Sequence, residues 1–384
     1  MRGNAKLVGL FALVLWIGLV PSAHAEVQRI KLDGDASHIV CDTDCTRLFV
    51  TSPARGSVIV VDAAALRAVV EIKTGKSPNH SALAPKRGLL LVLNQDDPSL
   101  SLIDLAALEK GAPADNALRT LRFAHATTAT YVSVVPSAVK EEKAYVSVYD
   151  QAKLTGYIAV VELETATVVK RITYSSIAHN SIGCPYGNAV SPDGRFLYVN
   201  VQCVGALGRL GHDPVFVYST KYDVPVDAIS FARHPHVGSG MAVRPSGKEV
   251  WAGGGNACNL ASYQQQDEAR SLISGCDASG RDPITIIDAS MNTIREQIFF
   301  GNSAFLSFTP DGRYLFLPRD NELLMIDADA REKVSSVALG GPATGSVAFT
   351  PDGRRGFTPV LGRSEIAIFD VPEPAPGKLM LMPP

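Results

Sequence analysis

One short phrase, written three times along the chain, limits what this sequence can fold into. The copies read Ser191-Pro-Asp-Gly-Arg195, Thr309-Pro-Asp-Gly-Arg313 and Thr350-Pro-Asp-Gly-Arg354, and an apolar run precedes each copy. Proline presets φ at the first corner of a turn, aspartate bonds its own backbone, and glycine accepts a positive φ. Each copy therefore predicts a tight turn between two strands, and the recurrence predicts repeated supersecondary units.

Weaker copies of the phrase raise the number of predicted units to seven. Arg244-Pro-Ser-Gly247 keeps the turn, and the copies near Pro85, Pro136 and Asp42 are more degenerate. The seven anchors, spaced 41 to 65 residues apart, are Asp42, Pro85, Pro136, Pro192, Pro245, Pro310 and Pro351.

A second phrase falls between the anchors. It is an apolar strand that ends in aspartate, as in Val58–Asp62, and a further strand candidate follows it, as in Arg67–Ile72. Each unit therefore offers four short strands, which we name A to D in chain order. Four strands in each unit of roughly 40 to 50 residues is the pattern of a β-propeller blade.

These repeats resemble those of the YVTN family of seven-bladed β-propellers, in which Ser-Pro-Asp-Gly precedes a Tyr- and Val-rich strand and a later strand ends in Asp. The resemblance covers residues 26–384. It implies an all-β fold, a seven-bladed β-propeller with four antiparallel strands per blade around a central channel. Members of the family include binding proteins, enzyme subunits and proteins with no assigned activity, so the resemblance predicts architecture better than function.

The first 25 residues have the pattern of a signal peptide. Arg2 and Lys6 give a positive start, residues 7–20 are apolar, and Ala23-His-Ala25 is a small-x-small cleavage site. The apolar stretch is short for a transmembrane helix, and no later run is long enough to span a bilayer. We therefore expect residues 26–384 to form a single propeller domain that is periplasmic or secreted.

The N-terminal segment Val27–Leu32 resembles the D strands, although it precedes the first A strand. It is expected to complete the last blade and so to close the ring, because an unpaired strand edge would otherwise remain there. The C-terminal segment Lys378–Met382 is an alternative candidate for the same place.

The charge of the mature chain argues against two classes of partner. Removal of Arg2 and Lys6 from the 36 basic residues leaves 34 against 38 acidic ones, a formal charge of −4. This balance gives no electrostatic basis for binding nucleic acid or an anionic membrane surface. The remaining classes of partner are a protein and a small molecule, bound at the mouth of the propeller.

The six cysteines are expected to form three disulfides in an oxidising compartment. The predicted pairs are Cys41 with Cys45, Cys184 with Cys203, and Cys258 with Cys276. Cys184 and Cys203 lie at equal distances from the turn at Asp193-Gly194, which predicts that they are cross-strand neighbours. Metal-bound thiolates are the alternative, but the sequence contains no Cys-x-x-Cys.

Seven histidines of the mature chain fall in predicted D–A connections, B–C loops or A-strand starts, all on one face of the ring. They are His38, His80, His125, His179, His212, His234 and His236. Histidine is the commonest ligand of zinc and copper in proteins, so a Cu or Zn site is one hypothesis for this face. Its candidate ligands are His179, His212, His234 and His236. The alternative is a set of loop histidines that bond locally.

Residues five positions before the anchors are expected to line the upper channel. They are Ser37, His80, Tyr131, Gly187, Gly240, Phe305 and Ser346. His80, Tyr131 and Phe305 are the candidates for contact with a ligand, and packing of tapering inner strands is the alternative explanation for this series.

The sequence favours an exported binding or scaffold propeller that holds a partner protein or small ligand at its histidine-rich face. One form of this hypothesis is a protein accessory to a periplasmic redox system. The alternative is a propeller enzyme, either a lactonase-like hydrolase or a metal-dependent oxidoreductase. No Gly-x-Ser-x-Gly or His-Glu-x-x-His motif occurs, so no catalytic residue is assigned.

Overall fold

The protein folds as a ring of β-sheets, seen here in a computed structural model. The structure describes residues 27–111, 113, 116–136, 142–150, 152–153, 155–173, 184–202, 214–229, 238–254, 283–300, 305–343 and 346–373. Within these residues the strands form seven four-stranded antiparallel sheets, and the sheets are the blades of a seven-bladed β-propeller.

The strands follow the chain in order from blade to blade. Strand β1 (Gln28–Lys31) precedes blade 1, which contains β2 (Ile39–Cys41), β3 (Arg47–Ser52), β4 (Ser57–Asp62) and β5 (Arg67–Lys73). Blade 2 contains β6 (Pro78–Ala84), β7 (Leu89–Asn94), β8 (Ser99–Asp104) and β9 (Leu118–Arg122), with a 3-10 turn at Pro85–Arg87 and a short helix α1 at Leu105–Glu109. Blade 3 contains β10 (Thr128–Val134), β11 (Lys143–Asp150), β12 (Thr155–Glu162) and β13 (Thr167–Thr173).

The remaining blades repeat this order. Blade 4 contains β14 (Cys184–Val190), β15 (Phe196–Gln202), β16 (Val215–Ser219) and β17 (Val224–Ile229). Blade 5 contains β18 (Gly238–Val243), β19 (Glu249–Gly254), β20 (Pro283–Asp288) and β21 (Thr293–Phe299). Blade 6 contains β22 (Ser307–Phe308), β23 (Tyr314–Arg319), β24 (Glu322–Asp327) and β25 (Glu332–Ala338). Blade 7 contains β26 (Ala348–Phe349), β27 (Arg355–Val360), β28 (Glu365–Asp370) and, as its outer strand, β1.

The N-terminal strand closes the ring, as the sequence predicts. Strand β1 pairs antiparallel with β28, and Ile30 lies opposite Ile366. Arg29 forms an ion pair with Glu365 and donates a hydrogen bond to the Leu339 carbonyl at 2.5 Å. The competing C-terminal segment, residues 378–382, lies outside the described residues.

The Pro-Asp-Gly phrase forms the A–B turn in the way its residue types dictate. In blade 6, the Asp311 carboxylate accepts hydrogen bonds from the Thr309 hydroxyl at 2.6 Å and from the Arg313 amide at 3.0 Å. Gly312 takes a φ of +70°. A Cβ on Gly312 would also lie 3.1 Å from Cδ of Pro245, the equivalent proline of blade 5. The phrase therefore shapes the turn and lets adjacent blades approach closely.

The core of the protein lies between blades. The buried apolar side chains of the described residues form seven clusters, and each cluster joins two adjacent blades around the ring. The cluster between blades 7 and 1 contains Ile30 from β1, so the closing strand contributes apolar surface as well as hydrogen bonds. Burial of apolar area between neighbours is the main favourable term for such a repeat fold.

Candidate functional site: the central channel

A β-bulge recurs near the start of several inner strands, where each strand meets the channel. In β6 the pairing shifts between Pro78 and His80, and in β10 it shifts between Ala129 and Tyr131. In blade 1 the Thr51 carbonyl accepts from the Ser37 amide, while the Thr51 amide donates to the His38 carbonyl. A bulge bends a strand and redirects the side chains beside it.

The strand registers identify seven equivalent positions at this level of the channel. They are His38, His80, Tyr131, Gly187, Gly240, Phe305 and Ser346. Six of them are the positions expected from the sequence. The seventh is a correction, because His38 and not Ser37 is the equivalent of His80. The blade 1 turn contains no proline, so the anchor at Asp42 was placed one residue too early.

Four of these side chains meet in the channel. The ring centroids of His38 and His80 lie 4.1 Å apart, and those of His80 and Tyr131 lie 4.3 Å apart. Phe305 comes from blade 6 and lies 5.7 Å from His38 and 5.9 Å from Tyr131. We name His38, His80, Tyr131 and Phe305 the channel cluster. Because its members come from blades 1, 2, 3 and 6, it reaches across the channel.

The three remaining equivalent positions carry small residues. Blades 4 and 5 supply Gly187 and Gly240, which have no side chain, and blade 7 supplies Ser346. The Ser346 hydroxyl accepts from the Ile39 amide at 3.2 Å and so joins two inner strands. Tyr186, one residue before Gly187, contacts Tyr131 at a centroid distance of 6.0 Å. Among the described residues, blade 4 therefore reaches the channel cluster through Tyr186 and not through its equivalent position.

Hydrogen bonds fix the orientation and the tautomer of His38. Its Nδ1 lies 3.0 Å from the Ser81 hydroxyl and accepts from the Ser81 amide at 3.3 Å. A nitrogen that accepts from an amide carries no proton, so the proton of neutral His38 is on Nε2. His38 as a whole residue is 7% exposed, and burial lowers its pKa to about 3.

His80 is less enclosed on one edge than on the other. Its Nδ1 is buried and has no hydrogen-bond partner among the described residues, whereas the residue as a whole is partly exposed. Burial, and then the neighbouring His38, hold the pKa of His80 well below its usual range. Burial, and then Tyr186, raise the pKa of Tyr131 well above its usual range. At neutral pH the channel cluster is therefore uncharged.

The proposed metal ligands stay untested. His179, His212, His234 and His236 lie outside the described residues, and His125 is exposed in the D–A connection of blade 3 with a φ of +61°. Within the part of the chain that the structure describes, no group of three or more His, Cys, Asp or Glu side chains is arranged to hold a metal ion.

One predicted disulfide is present, between Cys41 and Cys45, with a Cα–Cα distance of 4.9 Å. Cys184 is also disulfide-bonded. It lies opposite Gln202, because the bulge in β14 shifts the register by one residue. Its predicted partner Cys203, and the pair Cys258 and Cys276, lie outside the described residues.

The fold and the site define this chain as a seven-bladed β-propeller protein with an imidazole and aromatic cluster in its central channel. No helix among the described residues is long and apolar enough to cross a bilayer. No protein-family model matches the sequence, and a search of curated proteins found no match.

Similarity to this chain was found among solved structures. Hydrazine synthase from Kuenenia stuttgartiensis matches with a TM-score of 0.70 and 17% sequence identity, over 89% of this chain and 97% of that chain. The β-propeller domain of Cps50 (Swd1) from Myceliophteria thermophila matches with a TM-score of 0.65 and 11% identity, over 90% and 100% of the respective chains. At these identities the similarity concerns the fold alone.

Proposed function

We propose that this protein is an exported binding propeller of the YVTN type that holds a small ligand or a partner protein at the face where its inner strands begin. The observation that carries the proposal is the convergence of His38, His80, Tyr131 and Phe305 in the channel near that face. Ligand sites typically combine apolar and aromatic walls with a few placed polar groups. The channel cluster offers this combination, with two glycine positions beside it.

A fragment experiment tests the small-ligand form of the proposal. Small aromatic fragments are screened by saturation-transfer NMR against the wild type, His80→Ala, Phe305→Leu and a control, Arg195→Ala, whose exposed side chain lies on the opposite face. We expect binding that weakens at least tenfold in both channel variants and is unchanged in the control. Absence of fragment binding, or equal binding by all four proteins, would contradict the proposal.

The partner-protein form requires a test inside the producing cell. A photo-crosslinking amino acid is placed at His80 or, as a control, at Lys248 in an A–B turn of the opposite face. We expect one defined adduct from the first position only. Adducts of the same mass from both positions would show that capture does not depend on the channel face.

Export to an oxidising compartment is part of the proposal, with a role accessory to a periplasmic redox system as the setting. The Cys41–Cys45 disulfide supports it, because disulfides persist in such compartments. Cell fractionation with N-terminal sequencing tests it, with Glu26 expected as the first residue of a periplasmic or secreted form. A cytosolic protein that retains residues 1–25 would contradict export.

A metal site at the same face is a separate proposal that rests on sequence alone. Copper or zinc would be bound by His179, His212, His234 and His236. Elemental analysis of the untagged protein is expected to show stoichiometric metal that is lost in His179→Ala and His234→Ala and retained in His125→Ala. A metal-free wild type would remove this proposal and leave the small-ligand form intact.

A further inference from the structure

Each of the two histidines of the channel cluster offers a ring N–H donor, and not a ring-nitrogen acceptor, to a ligand. The Ser81 amide donates to Nδ1 of His38, which places the proton of that ring on Nε2, on the side away from Ser81. Because both nitrogens of an imidazole sit on one rigid ring, this bond fixes the direction of the Nε2–H group.

His80 has the same tautomer, but the cause is burial and not a hydrogen bond. Its Nδ1 is buried without a hydrogen-bond partner among the described residues, whereas the residue as a whole is partly exposed. A buried N–H group without an acceptor is costly, whereas an N–H group on the accessible edge can bond to water or a ligand. The proton of neutral His80 is therefore on Nε2.

Among the described residues, the side chains packed against the pair are aromatic and none is acidic. The His38 and His80 ring centroids lie 4.1 Å apart, and Tyr131 and Phe305 pack against them. Within the described part of the chain, Tyr131 contacts His80 and Tyr186 contacts Tyr131, and burial is the largest cause of the raised pKa of both tyrosines. Among the described residues no acidic side chain stands close enough to raise the pKa of either imidazole.

We propose that the channel cluster binds the carboxylate group of a small ligand that also carries a flat apolar group, with the Nε2–H groups of His38 and His80 as donors. Two adjacent N–H donors suit the two oxygens of one carboxylate, and charge-assisted bonds of this kind are stronger than neutral ones. The faces of Tyr131 and Phe305 provide the apolar contact, and the equivalent positions of blades 4 and 5 are the glycines Gly187 and Gly240. This inference deepens the proposed function and rests on it.

Binding of a carboxylate changes the protonation of His38 and His80. A carboxylate beside two imidazoles favours their charged form, so ligand binding raises the histidine pKa values toward the ordinary range. We therefore expect binding of an anion at pH 6 to be accompanied by proton uptake. Binding of an uncharged ligand to the same surface takes up none.

Three probes of similar shape test the inference: benzoate, benzamide and benzylamine. Their affinities are measured by calorimetry at pH 6 in two buffers with different ionisation enthalpies, and the histidine ring nitrogens of ¹⁵N-histidine-labelled wild type are followed by NMR. We expect benzoate to bind at least tenfold more tightly than the other two, with proton uptake and with shifts of the His38 and His80 signals. In His80→Phe and in His38→Gln we expect this preference to disappear.

The outcomes distinguish a failure of the carboxylate proposal from a failure of the proposed binding function. Equal affinity for all three probes that still weakens in Phe305→Leu would overturn the carboxylate proposal and keep the channel as a binding site. A preference for benzylamine would overturn it as well. If none of the probes binds while other aromatic fragments do, the carboxylate proposal fails alone. If no aromatic fragment binds at all, both proposals fail.

Discussion

His38 and His80 occupy equivalent positions in adjacent blades, and their imidazole rings lie 4.1 Å apart in the central channel. Burial disfavours the charged form of a histidine, and a second charge at this distance would disfavour it further. Folding therefore favours the neutral form of both imidazoles. The stability of the propeller consequently depends on pH.

The first prediction concerns that link. The pKa of His38 falls from 6.5 to about 3 on folding, and the pKa of His80 falls in the same direction. The unfolded chain thus binds more protons than the folded one below about pH 6.5. Stability is complete above that pH and is lost as the pH falls, by about 1.4 kcal/mol per pH unit for each imidazole.

Denaturant unfolding between pH 7.5 and pH 5 measures this effect, since few carboxyl groups titrate in that range. The double variant His38→Phe/His80→Phe is expected to lose most of the slope between pH 6.5 and pH 5. The control His125→Phe, which replaces an exposed histidine, is expected to keep it. A wild-type profile that the double variant reproduces would refute the link.

The second prediction concerns Glu249, whose side chain is buried between blades 5 and 6. Its carboxylate accepts from Nε1 of Trp251 at 3.2 Å and pairs with Arg295 at 2.9 Å, with Arg331 and with Arg244. Burial alone would raise the pKa of Glu249, but the Trp251 bond and the arginine guanidiniums hold it below its usual range. Loss of the charge would remove the buried carboxylate that Arg244, Arg295 and Arg331 share.

We expect Glu249→Gln to lower the free energy of unfolding by about 3 to 5 kcal/mol, the cost of breaking a buried ion pair. Glu296→Gln is the matched control, because Glu296 also pairs with Arg331, at 2.9 Å, but is 40% exposed. Its expected cost is below about 1 kcal/mol. Equal costs for the two variants, measured by urea unfolding, would mean that burial of Glu249 does not strengthen the network.

Most of the fold follows from features that repeat, and this is why the sequence predicts it. The Pro-Asp-Gly turn needs three residue types in a row, so its copies are visible without any structure. The closing strand β1 is visible because Ile30 matches the one buried aliphatic residue near the end of the D strands, such as Ile72 and Ile172. Both features depend on local chemistry that a single sequence displays.

The channel cluster is predicted less completely from the sequence, because its composition depends on the strand register. Counting back from each turn reaches His80, Tyr131 and Phe305, whose rings lie together in the channel. In blade 1, where the turn has no proline, the same count reaches Ser37 and misses His38. Tyr186 is missed for a different reason, because it belongs to the bulged segment of β14 and precedes the aligned Gly187. A bulge adds one residue without a reliable sequence signal, and one residue is enough to change which side chain faces the channel.

The third prediction concerns the Cys41–Cys45 disulfide, which lies beside the junction of blades 1 and 7. Sγ of Cys45 is 3.2 Å from the carbonyl oxygen of Phe349 in β26. The bond closes a loop of only a few residues, so the entropy model predicts a contribution of about 2 kcal/mol. We expect the double variant Cys41→Ser/Cys45→Ser to lose about that amount in urea unfolding. A loss above about 4 kcal/mol would mean that the sulfur contacts, and not the closed loop, stabilise the turn.

The last prediction concerns the closure of the ring by Ile30. Its side chain is 1% exposed and packs in the cluster between blades 7 and 1, and its backbone pairs with Ile366. Removal of buried methylene groups costs the transfer free energy and the free energy of the cavity that remains, so we expect Ile30→Ala to lower the free energy of unfolding by about 2 to 5 kcal/mol. Lys31→Ala, on the exposed side of the same strand, is expected to cost less than about 0.5 kcal/mol. If both variants unfold at the same urea concentration as the wild type, β1 does not hold the ring closed. A selective loss in Ile30→Ala, together with faster hydrogen exchange in β28 than in the other C strands, would show that blade 7 opens first.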